Sequence, residues 1–141
     1  GAGGARAHMM SAAAMGATAF QKGLGAIHAM SHPVGAVFNT HHGTTNAVCM
    51  PAVLAFNADT IRGRFDQAAA YLGIDGGFDG FCEFVQQFND SFAIPRTLTE
   101  MGVSEDRLDD LVAMALEDPS CGGNPVELTA DGLRGLFRAC F

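Results

Sequence analysis

The stretch Phe81-Cys82-Glu83-Phe84-Val85-Gln86-Gln87-Phe88 sets the fold class. Its apolar residues, Phe81, Phe84, Val85 and Phe88, stand at i, i+3, i+4 and i+7. That spacing lines one face of a helix and does not match the two-residue alternation of a half-buried strand. Working outward, the same period recurs at Phe65, Ala69 and Leu72, at Leu108, Leu111, Val112, Ala115 and Leu116, and at Leu133, Leu136, Phe137 and Cys140. Ser104 and Thr129 are placed to cap the last two helices, and Glu105 and Asp106 suit the positive end of the first of them. Asp75-Gly76-Gly77, Ile94-Pro95 and Asp118 to Pro125 are the breakers between segments, the last reading as a connection. With one Tyr, no Trp and no sustained alternation, strands have little to be built from. The expected fold is all-α, a helical bundle whose short loops join antiparallel neighbours.

The N-terminal third reads less regularly. Ala5 to Met30 is one segment rich in Ala, Met and Gly, ending in Phe20, Leu24 and Ile27. A helix so apolar requires burial on most sides. Pro33 predicts an end near His32, because proline disfavours helical geometry in the residue before it. Pro33 to His42 then reads as a loop. A second helix is expected from about Thr44 to Asn57, with Pro51 inside it kinking it or freeing a carbonyl. The 7 methionines and 11 phenylalanines are expected to be mostly core.

The 141 residues fit a single helical domain over 1–141, and 48% hydrophobic against 16% charged residues argues against disorder. A net charge of −7 makes nucleic acid a poor partner. No apolar run reaches the ~20 residues that cross a bilayer, and no secretion signal opens the chain. Cys49, Cys82, Cys121 and Cys140 form no CxxC pair, so zinc-finger and thioredoxin readings fail and free thiols in a reducing, cytoplasmic setting are expected.

Chemistry concentrates in His28, His32, His41 and His42, with His8 apart from them. Histidine binds metals and moves protons near neutral pH. His28 and His32 share a helix face. Residues 29–31 are Ala, Met and Ser, so the glutamate of a zinc-protease HExxH is missing. Spacing alone suggests a site of His28, His32 and His42 with water as fourth ligand. No Asp or Glu occurs between residues 1 and 58, so any acidic partner comes from far along the chain or from outside it.

The run Gly23-Leu24-Gly25-Ala26-Ile27-His28-Ala29-Met30-Ser31-His32-Pro33-Val34-Gly35, followed by Asn39-Thr40-His41-His42-Gly43 and Asn46-Ala47-Val48, closely resembles the iron-containing (group III) alcohol dehydrogenases. The likeness continues at Met50-Pro51 through Phe56-Asn57, Ile94-Pro95-Arg96-Thr97-Leu98, Met101-Gly102-Val103 and Asn124-Pro125. The resemblance implies an enzyme that interconverts alcohols with aldehydes or ketones using NAD or NADP. It implies a dehydroquinate synthase-like helical domain holding a divalent metal, Fe2+ foremost with Zn2+ as the other option. His28 and His42 match metal ligands. His32 matches the histidine beside the metal and near the nicotinamide, a catalytic and cofactor-contacting position that is usually not a ligand. That differs from the three-histidine set that spacing alone suggests. The form Asn39-Thr40-His41-His42-Gly43 is closer to alcohol and propanediol dehydrogenases than to maleylacetate reductases.

The departures matter as much. Family members carry a further Asp and His ligand on an earlier helix, and this chain has no such pair; His8 is too close to His28 to be that histidine. The N-terminal dinucleotide-binding domain is absent from these residues, and Gly1-Ala2-Gly3-Gly4 is a weak echo of a phosphate loop with no strand before it. The chain therefore reads as a domain or fragment of the enzyme, without dehydrogenase activity alone. The alternative is a non-catalytic helical binding module derived from that domain. An apolar face left by a missing partner favours self-association into a homo-oligomer.

Overall fold

The computed structural model describes residues 2–141, which form six α-helices joined by short 3-10 turns. No strand occurs among the described residues. In chain order the helices are α1 (Ala2–Ala19), α2 (Ala26–Phe38), α3 (His42–Leu72), α4 (Gly77–Ser91), α5 (Leu108–Glu117) and α6 (Ala130–Cys140). The all-α reading holds. Ala2, Gly3 and Gly4 open α1 and form no phosphate loop, while Gly1 lies outside the described residues.

The segment expected to run unbroken from Ala5 to Met30 is two helices. Gly23, at φ 109°, ends the first, and Gly25, in extended geometry, begins the second. The Gly25 carbonyl accepts from the His28 and Ala29 N–H groups, and the Ala26 N–H donates to Asn124 Oδ1 across 3.1 Å. A Cβ at Gly123 would run into the Leu24 carbonyl oxygen, so the close approach of these two loops requires glycine there. α1 buries no residue, contrary to the expectation for so apolar a helix.

α2 continues past Pro33 to Phe38, so the predicted stop near His32 and the loop from Pro33 to His42 are both corrected. An interior proline costs about 3 kcal/mol. Against that, burying one Val or Met side chain contributes about 1.5–3 kcal/mol, and both Met30 and Val34 are fully buried here. Ile27, Val37 and Phe38 pack against the same core. Burial outweighs the proline. Asn39, at φ 53°, ends the helix and donates its N–H to the Gly35 carbonyl.

α3 fuses two expected helices into 31 residues, on the order of 46 Å long. Its interior Pro51 leaves the Ala47 carbonyl without a helical donor, and Asn89 Nδ2 on α4 supplies one at 3.1 Å. α4 starts against α3 where Asp66 Oδ1 accepts the Phe78 N–H. Thr129 caps α6 as predicted, taking the Gly132 N–H. Ser104, by contrast, makes no side-chain cap.

The main core joins α2, the first half of α3, α5 and α6 around Met30, Val34, Cys49, Leu98, Leu111, Leu133 and Phe137. A smaller cluster packs Leu54 on α3 against Phe78 and Val85 on α4. The expectation that Met and Phe are mostly core needs correction. Met9, Met10, Met15, Phe20, Phe84, Phe88 and Phe92 are all exposed, although Phe84, Phe88 and Phe92 stack on one another with ring centres 5.0–5.8 Å apart.

Candidate metal centre

The turn Asn39–His41 folds α3 back along α2, which brings His42, the first residue of α3, to the face of α2 that carries His28 and His32. The three imidazole centroids form a near-equilateral triangle: 5.2 Å for His28–His42, 5.4 Å for His32–His42 and 5.6 Å for His28–His32. His28 is half-buried, while His32 and His42 are exposed. His41 does not join them; its Nδ1 accepts the Thr44 N–H as the N-cap of α3. His8 sits exposed on α1.

The Nε2 atoms of His28 and His42 face one atom. Asn46 Nδ2, one turn beyond His42, stands 3.4 Å from the first and 3.1 Å from the second. Asn46 Oδ1 is buried with no hydrogen-bond partner. His32 is held differently: its Nδ1 lies 2.8 Å from Asp118 Oδ2. A carboxylate can only accept, so the proton of that bond sits on Nδ1 and leaves His32 Nε2 free. Among the described residues no group of three or more His, Cys, Asp or Glu side chains is arranged to hold one metal ion. His32 is thus engaged by Asp118, while His28 and His42 meet at Asn46.

Asp118 was not legible as a site residue. It lies 86 residues from His32, in the segment that reads as a mere connection. Its Asp-Pro-Ser context is a turn signal, and its Oδ1 does take the Ser120 N–H at 2.8 Å. The loop is fixed from behind by Asn124. That side chain exchanges two hydrogen bonds with buried Asn57 (2.9 and 3.0 Å), donates to the Val126 carbonyl and caps α2. Burial alone would push the Asp118 carboxyl up, but donors from Ser120 and then His32 outweigh it and hold it below its ordinary value. His28 is pushed down, first by burial, then by its neighbours His42 and His32, with Asp118 opposing. A lowered value keeps that ring neutral, which is the form that binds metals.

The residues present fit a divalent cation in part. The Nε2 atoms of His28 and His42 converge on the position that Asn46 Nδ2 holds, beside an orphaned buried oxygen, and further donors are needed to complete a set of four. A separate cleft of about 130 Å³, lined by Ala47, Pro51, Asn89 and Arg96 among others, includes none of the histidines.

Residues 3–141 match the family model described as the C-terminal part of the Fe-containing alcohol dehydrogenase family. The chain is 42% identical over 142 residues to 4-hydroxybutyrate dehydrogenase of Cupriavidus necator, covering 94% of this chain and 37% of that protein. It is 32% identical over 126 residues to lactaldehyde reductase of Escherichia coli K12, covering 84% and 33%. Among solved structures, a 1,3-propanediol oxidoreductase superposes with a TM-score of 0.78 at 28% identity, over 84% of this chain and 33% of that one. The chain thus spans about a third of the length of the relatives it matches. No described helix is long and apolar enough to cross a membrane.

Proposed function

Because the chain belongs to the iron-containing alcohol dehydrogenase family, as its C-terminal helical domain, we propose that it supplies one side of the metal centre of an NAD(P)-linked enzyme that interconverts alcohols with aldehydes or ketones. His28 and His42 hold the cation, Fe2+ before Zn2+. The observation that carries this reading is the convergence of both Nε2 atoms on the single position of Asn46 Nδ2. When bound, the metal supplies a Lewis acid for the substrate oxygen. His32 stands beside that position with Nδ1–H given to Asp118, so its Nε2 is left to accept or return the alcohol proton, or the ring would pack against a bound nicotinamide. Asp118 keeps that ring in one tautomer and one orientation.

The remaining ligands and the dinucleotide-binding fold lie outside these 141 residues in this reading. Two imidazoles and water make a weak site, so the chain alone binds metal poorly and turns over no alcohol. The exposed methionines of α1 favour self-association of the isolated chain. A cytoplasmic setting suits its four free cysteines.

Calorimetric titration with Zn2+ tests the ligand pair. Weak binding that disappears in His28→Ala and in His42→Ala, and persists in His8→Ala, is the expected result. Binding that survives loss of both His28 and His42 contradicts it, and so does oxidation of an alcohol with NAD by the purified chain alone.

A further inference from the structure

We propose that Asn46 is a positioning residue for the metal centre: its amide holds His28 and His42 in the Nδ1–H tautomer, with both Nε2 lone pairs turned to the place its own Nδ2 holds until a cation displaces it. This rests on reading those two histidines as the ligand pair.

An amide nitrogen offers two N–H donors and no lone pair. Asn46 Nδ2 lies within reach of both Nε2 atoms, at 3.4 and 3.1 Å. Both contacts are hydrogen bonds when each Nε2 carries a lone pair and each ring proton sits on Nδ1. The reverse amide orientation would offer Oδ1 to two Nε2–H groups. It would then bury the amide's two N–H donors where Oδ1 now stands without a partner. An orphaned carbonyl oxygen is better tolerated than orphaned N–H groups, so the orientation with Nδ2 toward the rings is favoured.

The backbone fixes this placement. Asn46 is four residues after His42 on the same helix face. The adjoining Thr45 is fully buried, with its hydroxyl donating to the His41 carbonyl at 3.0 Å. Metal ligation needs an unprotonated ring nitrogen, and the partner of one ring atom sets which nitrogen that is. Asn46 makes that choice for two rings at once, through one nitrogen atom. No proton is gained or lost overall; each neutral ring keeps one.

The test uses the 15N-labelled, chelator-stripped chain at about pH 8, above the ~6.5 of free imidazole. Long-range proton–nitrogen correlation spectra report the tautomer of each ring. The expected result is the Nδ1–H pattern for His28 and His42 in the unmutated chain. In Asn46→Ala this pattern gives way to Nε2–H. In Asn46→Asp, whose carboxylate only accepts, both rings lock as Nε2–H. An Nε2–H pattern in the unmutated chain overturns the proposal, and that measurement needs no variant to fold. A pattern unchanged in Asn46→Ala also overturns it. Zn2+ added to the same sample tests the ligand pair separately: rings that do not respond count against the metal reading and leave the tautomer result standing.

Discussion

α1 and α2 are neighbouring helices that end in opposite environments. Both contain Ala and Met, and neither carries an acidic residue. α1 buries nothing, whereas α2 buries Ala26, Ala29, Met30, Ser31, Pro33 and Val34. What differs is the placement of large apolar groups. In α2, Ile27, Met30, Val34, Val37 and Phe38 make a stripe at helical spacing that faces α3 and α5. In α1, Met9, Met10 and Met15 make no such stripe. The helix that enters the core is the one with more large apolar residues and with those residues in register on one face.

That contrast can be broken most forcefully at methionine. Met30→Ala, at 0% exposure, should lower unfolding free energy by about 2–5 kcal/mol. Met10→Ala, at 73% exposure, should change it by less than about 0.5 kcal/mol. Urea denaturation of the two variants side by side measures the gap; equal losses would mean α1 is packed after all.

Next in size is the clamp that starts α2. Asn124→Ala strips the acceptor from the Ala26 N–H and leaves the buried Asn57 amide unpaired, at about 1–3 kcal/mol for a group so orphaned. The same change loosens the loop carrying Asp118, so the His32 ring signal should broaden or shift in NMR spectra while His8 on α1 stays put.

Asp118→Asn sharpens the comparison through pH. Its carboxyl is held below the ordinary value in the folded chain. The stability it contributes is therefore present above the unfolded value of ~3.9 and lost as pH falls through the folded one. Asp118→Asn should melt below the unmutated chain at neutral pH, with the difference shrinking as melting is followed from about pH 5 to pH 2. A difference that grows on acidification would contradict this assignment.

The smallest expected effect is on removing α1. A chain lacking residues 1–22 should keep its Tm within about 2 °C and elute from a sizing column with less self-association.

Legibility from sequence followed the same divide. α4, α5 and α6 could be read because their apolar periods are clean and their breakers strong. The division between α1 and α2 could not, because Gly23-Leu24-Gly25 interrupts a run in which Ala and Met recur on both sides. Pro33 misled because its local cost is visible in the sequence, while the burial of Met30 and Val34 that offsets it is tertiary. At the site, the i, i+4 spacing of His28 and His32 and the nearby His42 marked the cluster. Asp118 stayed hidden and Asn124 stood only within the resembling motif without a role, since the contacts that give them one reach 86 and 98 residues back along the chain. Asn46 stood within the resembling motif, yet only the folded geometry shows its amide against two rings.

The central claim is that His28 and His42 together form half of a coordination sphere. Crystals of the chain soaked in Zn2+ and measured across the zinc absorption edge test it most directly. The expected result is an anomalous peak bonded to Nε2 of both His28 and His42, with His32 outside the coordination sphere and still paired to Asp118. A peak elsewhere on the chain, or zinc bonded to one of the two rings and not the other, would contradict it.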